Sequence, residues 1–322
     1  MKMRANEIDV MKGIGILLVI LGHCVPDFPV DLRADAMSAH VERFVYTFHM
    51  PLFFFCSGFV LGFTPPSSAS KFLKSRFLRL MVPYLTFSFV SLGLRILFSS
   101  FTRSGFYIND GLIGILFYGK FFWFVYVLFF ILLLMELFRK SKYALLLMVG
   151  IGIFLYSLNI ELFKLSQMGY FTIFTVVGYL LSPFRDKLVS MMHNFWIPIV
   201  LIIILIGLYF YAPPMCFTTK YLHRVVMAWA GIGALYSISL NKIKSKKMSG
   251  FINHFSKYSL QYYLIHMIVS LPCYYIVAAM HLNISILAVV MNFIVITAVS
   301  YLMLECLLRM KWCYKLIGIK TK

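Results

Sequence analysis

The sequence predicts an all-α protein that crosses a lipid bilayer about ten times. Of its 322 residues, 61% are hydrophobic and 13% are charged. A soluble domain of this length could not bury so much apolar surface. The apolar residues also gather in runs close to the roughly 20 residues that one helical crossing needs. Composition and run length therefore indicate a polytopic membrane protein.

Ten apolar runs, separated by short polar or basic stretches, define the predicted helices in chain order. They are 12–29, 44–63, 81–101, 120–138, 143–159, 168–184, 194–212, 225–240, 258–280 and 284–308. The runs 143–159 and 225–240 are short for a crossing, so the sequence leaves the count open by one or two. No soluble segment or repeat is visible, and we expect a single integral-membrane domain over 1–322.

The placement of Lys and Arg predicts that both termini are cytoplasmic. Most of the 30 basic residues fall in the two terminal stretches and in alternate loops, as cytoplasmic loops of membrane proteins do. The net charge of +19 then reflects topology and attraction to anionic lipids. We therefore expect a multi-pass protein of the inner, cytoplasmic membrane, with membrane lipids as partners and no nucleic acid. The sequence does not settle the oligomeric state.

Two histidines fall inside predicted membrane helices. His23 lies in the apolar run 13–25 and His49 in the run 48–55. A titratable side chain at membrane depth is costly to bury and usually faces a protein interior or a wet cavity. Both residues are therefore candidate site residues. Pro51, which lacks a backbone donor, predicts a bend in the second helix beside His49.

Spacing and depth add further candidates. Lys12 precedes His23 by eleven positions, so the two share a helix face about 16 Å apart. Arg95 and Trp123 are expected at a depth similar to that of His23. His266 is expected lower, nearer the cytoplasmic end of its helix. The six cysteines include no Cys-x-x-Cys pair, so neither a disulfide framework nor a metal site is expected.

Five motifs, spread in order over nearly the whole chain, resemble the acyltransferase 3 family of membrane acyltransferases. They are EIDVMKGIGILLVILGH at 7–23, FHMPLFF at 48–54, RFLRLMVPY at 76–84, WF at 123–124 and SLQYYLIH at 259–266. Many members carry arginine where this chain has Lys12, which keeps the charge but loses the bidentate fork. That variant is similar to the subgroup that acetylates sugars of surface polysaccharides.

The resemblance implies an O-acyltransferase that moves an acyl group, usually acetyl, from cytoplasmic acetyl-CoA to a hydroxyl of a glycan or lipid-linked sugar. Acetyl-CoA would be a donor substrate, and no tightly bound cofactor is implied. His23 would be the general base, with a covalent acyl-histidine relay as the second option.

The remaining candidates take their roles from the same resemblance. Lys12, Arg76 and Arg79 would bind the phosphates of coenzyme A. His49 or Arg95 would stabilise the oxyanion, and Arg95, Trp123 and His266 are candidates for contact with the substrate.

Plainer interpretations stand beside each of these. The histidines could be structural, the basic residues topology signals, and Arg95 a side chain that reaches to the membrane edge. A transporter or exporter is the alternative function, since Pro and Gly breaks and buried polar groups also occur there. The sequence shows no inverted repeat. A purely structural scaffold is a third possibility, disfavoured by the buried histidines. The acceptor and the membrane face of transfer are not determined.

Overall fold

The computed structural model describes residues 6–99, 108–211, 217–241 and 246–319, and within these ranges it contains helices and turns but no strand. The helices of the first half are α1 (Asn6–Gly22), α2 (Ala36–Tyr46), α3 (His49–Gly62), α4 (Ala69–Arg76), α5 (Val82–Leu97), α6 (Ile108–Tyr118), α7 (Trp123–Phe138) and α8 (Lys142–Ser157). Those of the second half are α9 (Leu165–Leu181), α10 (Arg185–Met192), α11 (Trp196–Phe210), α12 (Phe217–Asn241), α13 (Lys246–Lys257), α14 (Ser259–Ala278) and α15 (Ser285–Arg309). Some residues used in the sequence predictions lie outside the described residues. They are Cys216, the segment ends 100–101 and 212, and the basic residues Lys2, Arg4, Arg103, Lys242, Lys244, Lys320 and Lys322.

Among the described residues, six helical stretches are long and apolar enough to cross a membrane. They are Ala36–Gly62, Ala69–Leu97, Asp110–Phe138, Leu162–Met192, Ser259–Ala278 and Ser285–Arg309. The other four predicted segments coincide with α1, α8, α11 and α12, of which α8 and α11 are apolar but shorter. The all-helical fold with several membrane spans is therefore confirmed. The count of about ten crossings and the orientation stay predictions.

The first helix differs from its predicted bounds of 12–29. It begins at Asn6 and ends at Gly22, so His23 lies just beyond its end instead of inside a crossing. Pro26 lacks an N–H for the helical ladder and disfavours helical geometry at the residue before it. The amide of His23 still donates to the carbonyl of Ile20 (3.0 Å), so the ring keeps the phase of α1.

The second predicted helix contains the expected bend, but not at Pro51. The helix is broken at Thr47 and Phe48, between α2 and α3. Pro51 lies in the first turn of α3, where no intrahelical partner exists for its missing N–H. The break therefore precedes His49 and places that residue at the start of α3.

Glycines bring α3 and α9 into close contact at the centre of the bundle. A Cβ atom at Gly58 would collide with the carbonyl oxygen of Thr175, and one at Gly178 with that of Phe55. Small residues of this kind let membrane helices approach backbone to backbone. The contact aligns α3, and with it His49, against the rest of the core.

The prediction that His266 lies lower than His23 is wrong. Helix α13 directly precedes α14, and its residues Ile252 and Phe255 are buried. The buried helical segment is therefore longer on the N-terminal side than α14 alone. The backbone of α13 packs on Gly13 of α1, where a Cβ would lie 2.5 Å from the carbonyl oxygen of Ile252. Because the chain enters the bundle before residue 258, His266 reaches the level of the end of α1.

Contacts between loops sort the bundle into two faces. On one face Glu7 pairs with Arg185, and Arg139 bonds to Thr64; we call it the inner face. On the opposite face Arg33 pairs with Glu42, His40 lies 2.7 Å from the Tyr209 hydroxyl, and Arg224 bonds to Tyr156; we call it the outer face. The grouping agrees with the alternation of loops predicted from basic residues.

Candidate functional site

Three histidines from three parts of the chain meet where α1 ends. The His23 ring centroid lies 5.2 Å from that of His266. Tyr46 lies beside the His23 ring, and Tyr263 lies beside the His266 ring. The Tyr46 ring lies 5.8 Å from His23 and 4.8 Å from His49, so this tyrosine connects the two. We call His23, His49, His266 and Tyr46 the histidine cluster. His49 and His266 are buried and His23 is half-buried.

Backbone carbonyls fix the orientation of two of these rings. Nδ1 of His49 donates to the carbonyl of Val45 (2.7 Å), and Nδ1 of His266 donates to that of Tyr262 (2.9 Å). Because a carbonyl only accepts, Nδ1 carries the proton and Nε2 keeps a lone pair in each neutral ring. Nε2 of His266 is buried and has no hydrogen-bond partner within the described part of the chain. The His49 ring also satisfies a carbonyl at the break between α2 and α3, which is a structural role in its own right.

The His23 ring is less constrained than its backbone. The Tyr46 hydroxyl lies 3.3 Å from Nδ1 and 3.4 Å from Nε2, and one O–H can donate to only one of them. The backbone is fixed by side chains of later helices: the Tyr274 hydroxyl donates to the His23 carbonyl, and Asn292 donates to the carbonyl of Cys24 (3.1 Å). The position is anchored while the imidazole keeps a nitrogen able to accept a proton.

A cavity of about 910 Å³ opens on the outer face beside the cluster. Tyr46, Met50 and Pro51 contribute to its wall, so the cavity reaches the residues that flank His49. Trp123 lines it as well, stacked on Phe171 with ring centroids 5.4 Å apart. The other lining residues are Arg33, Glu42, Arg43, Thr47, Tyr156, Asn159, Lys164, Ser166, Gln167, Tyr170, Arg224 and Met227. The structure thus brings the predicted candidates His23, His49 and His266 together, and places Trp123 on the wall of a cavity that the cluster reaches through Tyr46.

The predicted donor-binding cations lie elsewhere, and none of them lines the outer cavity. Lys12 is half-buried in α1. Arg76 ends α4 with its guanidinium 4.8 Å from the centre of the Phe72 ring, and Arg79 is exposed on the π-helical turn that follows.

Arg95 is not brought to the cluster wall. Its guanidinium lies 5.1 Å from the centre of the Phe121 ring, in the exposed last turn of α5, and it is not among the residues that line the cavity. Equal depth in the sequence prediction therefore does not place Arg95 on the cavity wall. An oxyanion role for Arg95 has no geometric support.

Sequence reasoning missed Tyr46 and two buried ion pairs. Tyr46 precedes His49 by three positions, a spacing that could have drawn attention to it. On the inner face Arg139 pairs with Glu136 (2.9 Å), and their side chains are 2% and 5% exposed. Arg185 binds Glu7 through two hydrogen bonds of 2.5 and 2.9 Å. The Glu7–Arg185 pair joins segments distant in sequence, so spacing carries no signal for it. Glu136 and Arg139 have the i,i+3 spacing of a helical ion pair, which could have drawn attention to them.

The Glu136–Arg139 pair also fixes the loop after α3. Arg139 donates to the carbonyl of Thr64 (2.7 Å), and the Ser67 amide donates to Glu136 (3.1 Å). The Tyr179 hydroxyl donates to the Arg139 carbonyl (3.2 Å), which adds α9 to the same contact. The pair therefore holds the inner ends of α3, α7 and α9 together.

Comparison with known proteins identifies a family for the chain. Residues 5–305 match a family whose model is described as an acyltransferase domain. No curated protein and no solved structure matches the chain. The matched range contains the histidine cluster, the outer cavity and the inner-face cations.

Proposed function

The chain belongs to the acyltransferase 3 family of membrane acyltransferases, and from that premise we propose that it transfers an acetyl group from cytoplasmic acetyl-CoA to a hydroxyl of a surface glycan or lipid-linked sugar. One observation carries the proposal. A cluster of three histidines, two with an oriented lone pair on Nε2, shares Tyr46 with the wall of a cavity large enough for sugar residues. Such a cluster suits proton transfer from a bound hydroxyl.

In the proposed reaction His23 is the general base. The acceptor hydroxyl binds in the outer cavity next to Tyr46, and a ring nitrogen of His23 takes its proton as the oxygen attacks the thioester carbonyl carbon. The tetrahedral intermediate then collapses, the carbon–sulfur bond breaks, and His23 returns the proton to the thiolate of coenzyme A. The products are an O-acetyl ester and free coenzyme A. An acyl-histidine intermediate on His23 is the second option.

The neighbouring groups have distinct tasks in this proposal. The Tyr46 hydroxyl, within 3.3 Å of His23, is the nearest O–H donor for the oxyanion. His49 orients Tyr46 from the other side, and its own Nε2 would donate to the oxyanion only after it has gained a proton. The His266 ring lies 5.2 Å from that of His23, and its Nε2 has no hydrogen-bond partner among the described residues, so His266 would stabilise a protonated His23. In this proposal Tyr46 takes the oxyanion role that the sequence suggested for His49 or Arg95.

The donor is proposed to enter from the inner face. Lys12, Arg76 and Arg79 would bind the phosphates of coenzyme A, since basic side chains form strong charge-assisted hydrogen bonds with phosphate. The rise of α1 between Lys12 and His23 is about 16 Å, a span that an extended pantetheine arm covers. The donor and acceptor would then meet at the histidine cluster from opposite faces.

The test is acetyl transfer in detergent, with no gradient across a membrane. We expect the purified protein, given acetyl-CoA and a glycan extract of its source cells, to release free coenzyme A and to add the mass of one acetyl group to a glycan. His23→Ala should abolish both signals while the protein keeps its elution profile and unfolding temperature. His193→Ala, an exposed histidine outside the cluster, is the matched control and should keep full activity.

Two results would overturn the proposal. Normal release of coenzyme A by His23→Ala would remove His23 from the chemistry. Vesicles that move an unmodified glycan without any acyl donor would favour transport, the alternative that the helix count and proline breaks leave open.

A further inference from the structure

Four cations and one carboxylate line the outer cavity, and their pairing is uneven. Arg33 binds Glu42 through two hydrogen bonds of 2.9 and 2.7 Å, and this partner raises the pKa of Arg33. Lys164 pairs with Glu161 at 2.5 Å, and the ammonium group lowers the pKa of that carboxyl. These two cations are already neutralised by carboxylates of the chain.

The other two cations, Arg43 and Arg224, have no carboxylate within ion-pair distance among the described residues. Each spends one nitrogen on an uncharged partner: Arg43 donates to the carbonyl of Ala39 (3.2 Å) and Arg224 to the hydroxyl of Tyr156 (2.9 Å). A guanidinium has five N–H donors, so most of them stay available in both residues.

The Arg224 guanidinium is also held in a fixed position. Its carbon lies 5.9 Å from the centre of the Tyr170 ring, and Tyr170 packs against Tyr156 with centroids 5.3 Å apart. A donor that is ordered before binding loses less entropy when a ligand arrives. Contacts with two tyrosines at the wall of a cavity distinguish Arg224 from a surface arginine that is surrounded by water alone.

The rest of the wall suits a carbohydrate. Tyr46, Trp123 and Phe171 offer aromatic surface, while Asn159, Ser166 and Gln167 offer hydrogen-bonding groups. Ligand sites commonly combine such a wall with a few placed polar groups. The excess of positive charge is the feature that a neutral sugar does not explain.

We infer that the outer cavity selects an acceptor glycan that carries an anionic group, a phosphate or a carboxylate, bound by Arg224 and Arg43. The inference rests on the proposed function in taking the acceptor to be the ligand of this cavity. Planar guanidinium groups match the oxygen pairs of both anions. The anion would anchor the glycan while a neighbouring hydroxyl faces Tyr46 and His23.

Binding of three probes, measured without acetyl-CoA, tests the inference. The probes are maltotriose, trigalacturonic acid and maltotriose phosphate, titrated into the detergent-solubilised full chain. We expect one or both anionic probes to bind at least tenfold more tightly than maltotriose. Arg224→Gln and Arg43→Gln should each weaken the anionic probes about tenfold, as the loss of a charge-assisted hydrogen bond does, and leave maltotriose unchanged. The preferred anionic probe tells phosphate from carboxylate.

Lys220→Gln is the matched control, because Lys220 is exposed, lies one turn before Arg224 on α12 and does not line the cavity. It should bind every probe as the unmodified chain does. Equal affinity for all three probes, or a loss in Arg224→Gln that is the same for maltotriose, would overturn the inference.

Failure of the inference and failure of the proposed function give different results. If acetyl-CoA is turned over but anionic probes show no preference, only the inference fails. If the preference and its dependence on Arg224 are found but no coenzyme A is released with any acceptor, the cavity binds anionic glycans and the proposed transfer fails.

Discussion

Arg139 and Arg185 on the inner face and Arg224 in the outer cavity lie in opposite electrostatic surroundings. On the inner face Arg139 and Arg185 are paired with Glu136 and Glu7, and the Glu136–Arg139 pair is almost fully buried. In the outer cavity Arg224 is exposed and has no carboxylate partner among the described residues. The same residue type therefore closes the bundle at one end and offers charge to a ligand at the other.

The difference follows from what a buried charge requires. Removing an ion from water costs several kcal/mol, about as much as the attraction of a well-placed partner returns, so a buried arginine without its carboxylate is strongly destabilising. An arginine at the wall of a wet cavity keeps its hydration until an anion replaces the water. We therefore expect substitutions of the paired arginines Arg139 and Arg185 to change stability and those of Arg43 and Arg224 to change binding.

Breaking the Glu136–Arg139 pair should produce the largest effect and would test the structural half of this comparison. Arg139→Met leaves Glu136 buried without its partner and frees the carbonyl of Thr64. We expect a loss of about 3–5 kcal/mol in the free energy of unfolding. The measurement is thermal or denaturant unfolding in detergent, with Lys140→Met, the exposed neighbour, as the control. Equal stability of the two variants would mean that the pair does not hold the inner ends together.

Two substitutions of His49 distinguish a catalytic role of this residue from a structural role. His49→Ala should reduce acetyl transfer about 100-fold, the lower range for acid–base groups. His49→Asn keeps an N–H that can donate to the Val45 carbonyl but loses Nε2. We expect the asparagine variant to recover the unfolding temperature and not the activity. Recovery of activity by His49→Asn would assign His49 to the helix break alone.

Charge removal at the proposed donor site should have the smallest effect. It tests whether the inner face holds cations that bind a ligand beside the arginines that are paired with carboxylates. Lys12→Gln, Arg76→Gln and Arg79→Gln should each raise KM for acetyl-CoA about fivefold to tenfold, as loss of one charge-assisted hydrogen bond does, with a smaller change in kcat. Lys12→Arg should be tolerated if charge alone is required.

The control for the donor site is Lys71→Gln, on the exposed surface of α4. If its KM changes as much as that of Arg76→Gln, the effect comes from the general charge of this face. If none of the variants changes KM, these cations are topology signals, as their position at the membrane edge also allows.

The sequence predicted which residues form the site better than it predicted how they are arranged. His23, His49 and Trp123 were selected because titratable or amphipathic groups at membrane depth are costly and need a reason. The boundaries of α1 and the position of the bend were wrong, because local proline effects shift a helix end by several residues while leaving the apolar run unchanged. The depth predicted for His266 is wrong because α13 is too polar to be predicted as part of a membrane-crossing helix.

By itself the sequence determined the class of the protein. Hydrophobic content and run length require a membrane-embedded helical bundle, and the motifs around His23, His49 and His266 agree with the matched family. Only the tertiary structure decided which of these groups meet. The contact of Tyr46 with His23, the Glu7–Arg185 pair and the position of Arg224, which has no carboxylate partner among the described residues, all depend on contacts between different helices. Periodicity reports which face of a helix is apolar, but the neighbour of that face is set by packing between helices, which a single sequence does not encode locally.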